Sequence, residues 1–156
     1  MATTAIRAAV GKTAPFFKGQ AWNCQKQSFE ELSLDNYKNR FLLLFFYPLD
    51  FTFVCPTEII EFSNKAKQFR EVNCDVVGCS IDSHFTHMEY TKKSRADGGL
   101  GDIDIPLLSD MKKETADKYG VLADAGISFR GTFIIDNEQI IRHASINDLP
   151  IGRNVD

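Results

Sequence analysis

Cys55 is the residue whose setting could do chemistry. It is followed by Pro56 and stands between an unbroken apolar run, Phe41 to Tyr47, and a segment of helical periodicity. Proline is favoured in the first turn of a helix and steers the residue before it away from helical backbone, so Cys55 is expected at or just ahead of a helix N-terminus. Unpaired N–H groups point there and the helix dipole is positive, a setting that stabilises a thiolate. A free cysteine titrates near ~8.5, and helix N-termini with cationic neighbours bring that to about 3.5–7.5. A fall of about two units is worth ~2.7 kcal/mol of preference for the ionised form. The chemistry would be that of an activated sulfur nucleophile. The plainer reading is a packed structural thiol, since free cysteines are among the most buried residues. Placement at a strand-to-helix turn, where side chains are presented to a cleft, favours the nucleophile.

The other thiols read differently. Cys74, Cys79, His84 and His87 superficially form a zinc set. Cys74 and Cys79 are five apart, however, and an odd offset puts them on opposite faces of a continuous strand. His84 and His87 share a helical face, but two ligands do not close a structural site. They are expected to cap the following helix or to line a subunit contact. Cys24 and Cys74 are expected to be packing or surface residues and Cys79 to be core; His143 has no nameable partner. No metal or other cofactor is expected.

The elements that must position Cys55 follow from hydrophobic periodicity. Phe41–Tyr47 is continuous, aromatic-rich and ended by Pro48, which predicts a central strand buried on both faces. Ile59, Ile60, Phe62, Ala66 and Phe69 make one face of a helix over 56–70. Val76–Ile81 is the next strand, parallel to the first across a right-handed crossover. A helix is expected from about Ser83 to Arg95, then a breaker loop at Asp97–Gly101. A short strand or loop entry is expected at 105–108, and a helix at 111–119 with Gly120 as its C′ residue. Strands 132–136 and 139–142 make a hairpin around Asp136-Asn-Glu138. Residues 1–28 look irregular, punctuated by Pro15 and Gly19. A βαβ unit followed by two strands is an α/β, thioredoxin-like plan: a central mixed sheet flanked by helices.

Composition sets the outer bounds. The 156 residues suit one domain, expected to span 1–156, with a core that needs no staples. Apolar residues at 44% and charged residues at 25% describe a globular chain. Eighteen Lys+Arg against 21 Asp+Glu give a net charge of −3, which offers no nucleic-acid surface and no basic stripe for a membrane. The longest apolar run is far short of the ~20 residues of a membrane helix. No secretory leader is visible, so free thiols in a reducing compartment are expected.

These residues also carry a resemblance. Pro48-Leu-Asp-Phe-Thr52-Phe-Val-Cys55 reproduces the Pro-x-x-x-Thr-x-x-Cys signature of the peroxiredoxins, and Phe45 to Glu58 as a string resembles the typical 2-Cys subfamily, the thioredoxin-dependent peroxidases. Gly11–Phe17, Asp82–His87, Gly98–Gly101, Ile105–Asp110, Tyr119–Leu122, Phe129–Asp136 and Asn147–Arg153 match the same family in order. The similarity therefore covers nearly the whole chain.

The resemblance implies that Cys55 is the peroxidatic cysteine, attacking the terminal oxygen of hydrogen peroxide or a small organic hydroperoxide and becoming a sulfenic acid. It implies that Pro48 shields the pocket, that Thr52 accepts from the peroxide and donates to the sulfur, and that Arg130 stabilises the thiolate and the departing oxygen. Glu58 would hold the arginines in place. Nothing in the sequence spacing joins residues 55 and 130. The resemblance further implies thioredoxin as reductant, homodimers that can join into ring-shaped decamers, and an antioxidant and redox-signalling role. A cytoplasmic location is expected, because the match starts at Gly11 and leaves no room for a cleaved transit peptide.

In the family the resolving cysteine belongs to a C-terminal tail with a Val-Cys-Pro motif, beyond a further helix. These 156 residues hold neither. The expectation is a chain that completes the first step but not the intersubunit disulfide. Two rivals remain in view. A dithiol oxidoreductase would need Cys-x-x-Cys, and the turn reads Thr52-Phe-Val-Cys55. A binding or chaperone module would carry Cys55 as an ordinary thiol, titrating near ~8.5.

Overall fold

The structure, a computed structural model, describes residues 8–51, 55–151 and 153; of Cys55 it describes the backbone alone. Seven strands form one mixed sheet: β1 (Lys18–Asn23), β2 (Ser28–Ser33), β3 (Phe41–Phe46), β4 (Cys74–Ser80), β5 (Leu107–Ser109), β6 (Arg130–Ile135) and β7 (Ile141–Asn147), in the order β2-β1-β5-β4-β3-β6-β7. β3 runs parallel to β4 and β4 to β5, while β6 runs antiparallel to β3. The helices are α1 (Cys55–Glu71), α2 (His84–Lys92) and α3 (Glu114–Lys118).

The unbroken apolar run is an interior strand of this sheet, between β4 and β6, and both its faces are covered. Leu42, Leu44 and Phe46 join one cluster with Ala116 and Tyr119 from α3 and its end. Leu43, Phe45 and Tyr47 join the other, with Ile59, Phe62 and Ala66 of α1 and Tyr90 of α2. Period-two alternation sends successive side chains of β3 to opposite layers. Each fully buried aromatic of this kind contributes roughly 1.5–3 kcal/mol. Phe45 stacks on Phe62 at 4.1 Å between ring centroids, which seats α1 against β3. Cys79 falls in the first cluster and Cys74 in the second, as their odd spacing requires. Cys24 is buried as well, so neither it nor Cys74 is a surface residue.

Several expectations are corrected. Residues 18–33 are not irregular: β1 and β2 pair as an antiparallel hairpin. Its four-residue connection lacks an Asn-Gly or Asp-Gly pair. It is held by the Asn23 side chain, whose Oδ1 accepts from the Lys26 N–H, and Gln27 takes the left-handed conformation at φ 50°. The helix expected to reach Arg95 stops at Lys92, because Ser94 starts a separate 3₁₀ turn over 95–97, closed by Gly98 at φ 89°. The helix expected over 111–119 is only Glu114–Lys118. Lys113 is left-handed, and the buried Asp110 accepts the Thr115 and Ala116 N–H groups that open the helix. Gly120 is its left-handed C′ residue as expected. The final hairpin is displaced, β6 starting at Arg130 and β7 running on to Asn147, with an irregularity at Ile134/Ile135. Among the described residues no helix is long and apolar enough to cross a membrane.

Candidate active site

Cys55 is the first residue of α1, which follows the C-terminal end of β3 after the 47–54 connection. In a sheet with parallel strands the crevice at the strand ends is where ligands bind. The side chain of Cys55, and Thr52 altogether, lie outside the described residues; Pro48 is buried at the turn that ends β3. Glu58 stands three positions after Cys55, in the first turn of α1, where a carboxylate meets the positive end of the helix.

Sheet topology explains what sequence spacing cannot. β6 runs antiparallel to β3, so its first residue, Arg130, arrives beside the end of β3 where α1 begins. Arg130 is buried rather than a solvated surface cation. Its Nη1 donates to Glu58 Oε1 at 2.5 Å and its Nε to the Leu149 carbonyl at 2.7 Å.

A second guanidinium joins them. Arg153 donates from Nε to Glu58 Oε2 at 2.7 Å, and its backbone N–H reaches the same oxygen at 3.1 Å. Its Nη2 donates to the Phe46 carbonyl at 2.6 Å, and its Nη1 to the Gly131 carbonyl and the Thr132 hydroxyl at 2.7 and 3.0 Å. The guanidinium also lies over the Phe45 and Phe62 rings, 5.4 and 5.8 Å from their centroids. Arg153 was not among the residues the sequence singled out for a role. The signal was present in the matched Asn147–Arg153 string, but only the fold shows that this cation turns back onto Glu58.

Two buried guanidinium groups against one carboxylate leave one net positive charge at the first turn of α1. A buried charge of this sign is worth far more than the same charge in water. It favours an anion at the helix start, whether a thiolate or an oxygen gaining charge as a bond breaks. Beside it, Phe51, Pro56, Thr57, Ile60, Arg95, Gly98 and Gly99 line an open cavity of about 340 Å³. Gly99 is required there by close approach, since a Cβ would stand 2.2 Å from the Lys93 carbonyl oxygen.

The remaining thiols and histidines do not converge. Burial pushes the Cys74 thiol up to about 11 and the Cys79 thiol well above its ordinary value. Neither histidine caps α2; that role belongs to Ser83, which accepts the Thr86 N–H. His84 sits edge-on to Phe29, 4.8 Å between ring centroids, and packs on Phe85. His87 is buried against Asp50 and the Leu108 carbonyl. His143 is exposed on β7.

The chain is 54% identical over 149 residues to the mitochondrial thioredoxin-dependent peroxide reductase of Mus musculus, covering 95% of this chain and 57% of that one. The chain thus spans little more than half the length of that relative. It is 51% identical over 150 residues to peroxiredoxin-2 of Macaca fascicularis, covering 96% and 75%. In three dimensions it matches the reduced 2-Cys peroxiredoxin of Plasmodium vivax with a TM-score of 0.91 at 45% identity, over 94% of this chain and 76% of that one. The thioredoxin-like plan expected from the βαβ unit and the two closing strands is therefore the observed fold. The family model of AhpC/TSA matches residues 10–144, from before the first strand into the last, and with the strand end, the helix start and the arginine of β6 all inside that span the chain belongs to the AhpC/TSA family.

Proposed function

We propose that this chain is a thiol peroxidase acting through Cys55. The observation that carries the reading is the buried Arg130–Glu58–Arg153 cluster, net positive, in the first turn of the helix that Cys55 opens. The Cys55 thiolate attacks the terminal oxygen of a hydroperoxide. A sulfur–oxygen bond forms, the oxygen–oxygen bond breaks, and the leaving alkoxide or hydroxide takes up a proton as the sulfur becomes a sulfenic acid. Arg130 stabilises the charge growing on the leaving oxygen, Glu58 and Arg153 hold Arg130 in place, Thr52 supplies a hydroxyl and Pro48 excludes water. A thiol then displaces water from the sulfenic acid, and a second thiol releases the enzyme.

Thioredoxin is the proposed physiological thiol, in keeping with the name of the mouse relative. Homodimers, and decamers built from them, belong to the same reading. The test is peroxide consumption by the purified chain with dithiothreitol as reductant. Consumption that disappears in Cys55→Ser supports the reading. No consumption, or consumption unchanged in Cys55→Ser, sinks it. Replacing dithiothreitol by thioredoxin and its reductase tests the partner separately.

A further inference from the structure

Between β3 and α1 the chain makes a turn, 48–51, whose backbone its residues would not adopt unaided. Phe51 has φ +61°, in the left-handed region that bulky residues avoid, and it is 47% exposed, its ring against Tyr90 with Lys93 Nζ 5.9 Å from its centroid. Such a conformation persists where neighbouring contacts over-determine it. The residue beside it supplies them. Asp50 has a fully buried carboxylate, although it stands in a connecting turn. Its Oδ1 accepts from the Tyr47 hydroxyl at 2.7 Å, its Oδ2 lies 2.7 Å from Nδ1 of His87, and its backbone N–H donates to Asp82 Oδ2 at 2.8 Å.

His87 is itself locked. Its Nε2 lies 3.0 Å from the Leu108 carbonyl, which can only accept, so Nε2 carries a hydrogen. Nδ1 faces a carboxylate oxygen at a distance where two lone pairs would repel, so one proton lies between Nδ1 and Oδ2. The other titratable groups here are Tyr47, whose hydroxyl is 3.4 Å from Nδ1, and Asp82, whose carboxylate also accepts from the Ser80 hydroxyl at 2.6 Å. Burial raises the Tyr47 phenol well above its ordinary value, so it stays a donor, and burial also pushes the Asp50 carboxyl up. The turn is thereby referenced to α2 and β5 as well as to β3.

We propose that His87 is a positioning residue for the reaction of Cys55: by holding a proton against Asp50 it fixes the 48–51 turn, which carries Pro48 and leads into the peroxidatic residue. The inference rests on the peroxidase reading of Cys55. It assigns His87 no contact with substrate. A residue that merely stabilised the fold would change how much protein is native. A positioning residue changes how well the native protein performs a reaction that needs alignment.

Two rates at Cys55, measured in the full chain, separate these. Alkylation by iodoacetamide reports thiolate and access, and oxidation by hydrogen peroxide needs the aligned pocket as well. In His87→Gln, which keeps a donor towards Leu108 but none towards Asp50, peroxide oxidation is expected to slow about tenfold or more, with alkylation changed less than about threefold. In His87→Asn, whose amide N–H replaces that of Nδ1, peroxide oxidation is expected within about threefold of the unmodified chain. Equal loss of both rates, no loss of either, or an asparagine variant as slow as the glutamine one overturns the inference. If His87→Gln does not fold, Asp50→Ser withdraws the other end of the same bond and is judged by the same ratio. An unmodified chain with no peroxide reaction at Cys55 sinks the peroxidase reading and this inference with it. A normal unmodified rate with unaffected variants sinks this inference alone.

Discussion

Nη1 of Arg130 lies 2.5 Å from Oε1 of Glu58, across 72 positions of sequence and between β6 and α1. Breaking a buried pair by removing one charge typically costs ~3–5 kcal/mol, because the partner is left uncompensated. Glu58→Gln leaves two buried guanidinium groups facing a neutral amide. It is expected to lose stability of that order, read as a lower urea midpoint. Arg130→Gln removes a charge-stabilising donor and is expected to slow peroxide oxidation of Cys55 by about 10²–10³, the usual loss for one donor of this kind. A midpoint within error of the unmodified chain, or an unchanged oxidation rate, contradicts the assignment.

The thiols should separate by reactivity. Burial holds Cys74 up to about 11 and Cys79 well above its ordinary value, so both stay neutral at ordinary pH. Mass spectrometry after brief iodoacetamide treatment of the native protein is expected to find Cys55 labelled and Cys74 and Cys79 unlabelled, all three becoming labelled in denaturant. Rapid native labelling of Cys79 would mean that the sheet opens far more readily than its packing implies.

Much of this could be read from the chain. β3 was legible because a strand covered on both sides must be apolar at every position, and α1 because one apolar stripe at helical spacing follows a proline. The β1–β2 hairpin was not legible. Along β1 only Ala21 and Trp22 are deeply buried, so an alternating pattern never forms. Helix α2 ends early before the turn that Ser94 opens, and α3 starts late where Asp110 takes its first N–H groups, effects that a hydrophobic pattern does not carry. At the site, Cys55 was legible from its junction. Arg130 came only by resemblance, since an antiparallel strand pairing is what brings it to Glu58, and Arg153 and His87 depend on contacts across the sheet that no spacing encodes.

Gly78 tests how tightly the strand that bears the site is packed. A Cβ there would stand 2.8 Å from Phe45 Cζ and 3.0 Å from Leu107 Cδ2. Gly78→Ala is expected to cost ~1–3 kcal/mol by overpacking, read from urea unfolding. Phe45 stacks on Phe62 of α1, so the same variant is expected to shift the Phe45–Phe62 contact, visible in a crystal structure. An equally stable alanine variant would contradict the packing.

Asp110 gives a pH signature. Its carboxyl is raised, by burial first, against the opposing effect of the Ala116 and Thr115 N–H donors. The native state then binds more protons than the unfolded chain above the ordinary carboxylate range. This group's stabilising share is full at acid pH and is lost as pH rises through its raised value. Asp110→Asn does not titrate. Denaturation midpoints taken from about pH 4 to about pH 7 are expected to show the unmodified chain losing ground to this variant as pH rises. A constant difference would refute the raised value.

Arg153 follows β7, which ends at Asn147, and so it is synthesised after every strand of the sheet. With β3, α1 and β6 in place, Glu58 has one guanidinium, that of Arg130, to meet instead of two. The charge cluster is completed only when the segment after β7 turns back across the Phe46 and Gly131 carbonyls. The scaffold and the electrostatic field at the start of α1 are thus separable: β3, α1 and β6 can be in place while that field is still incomplete.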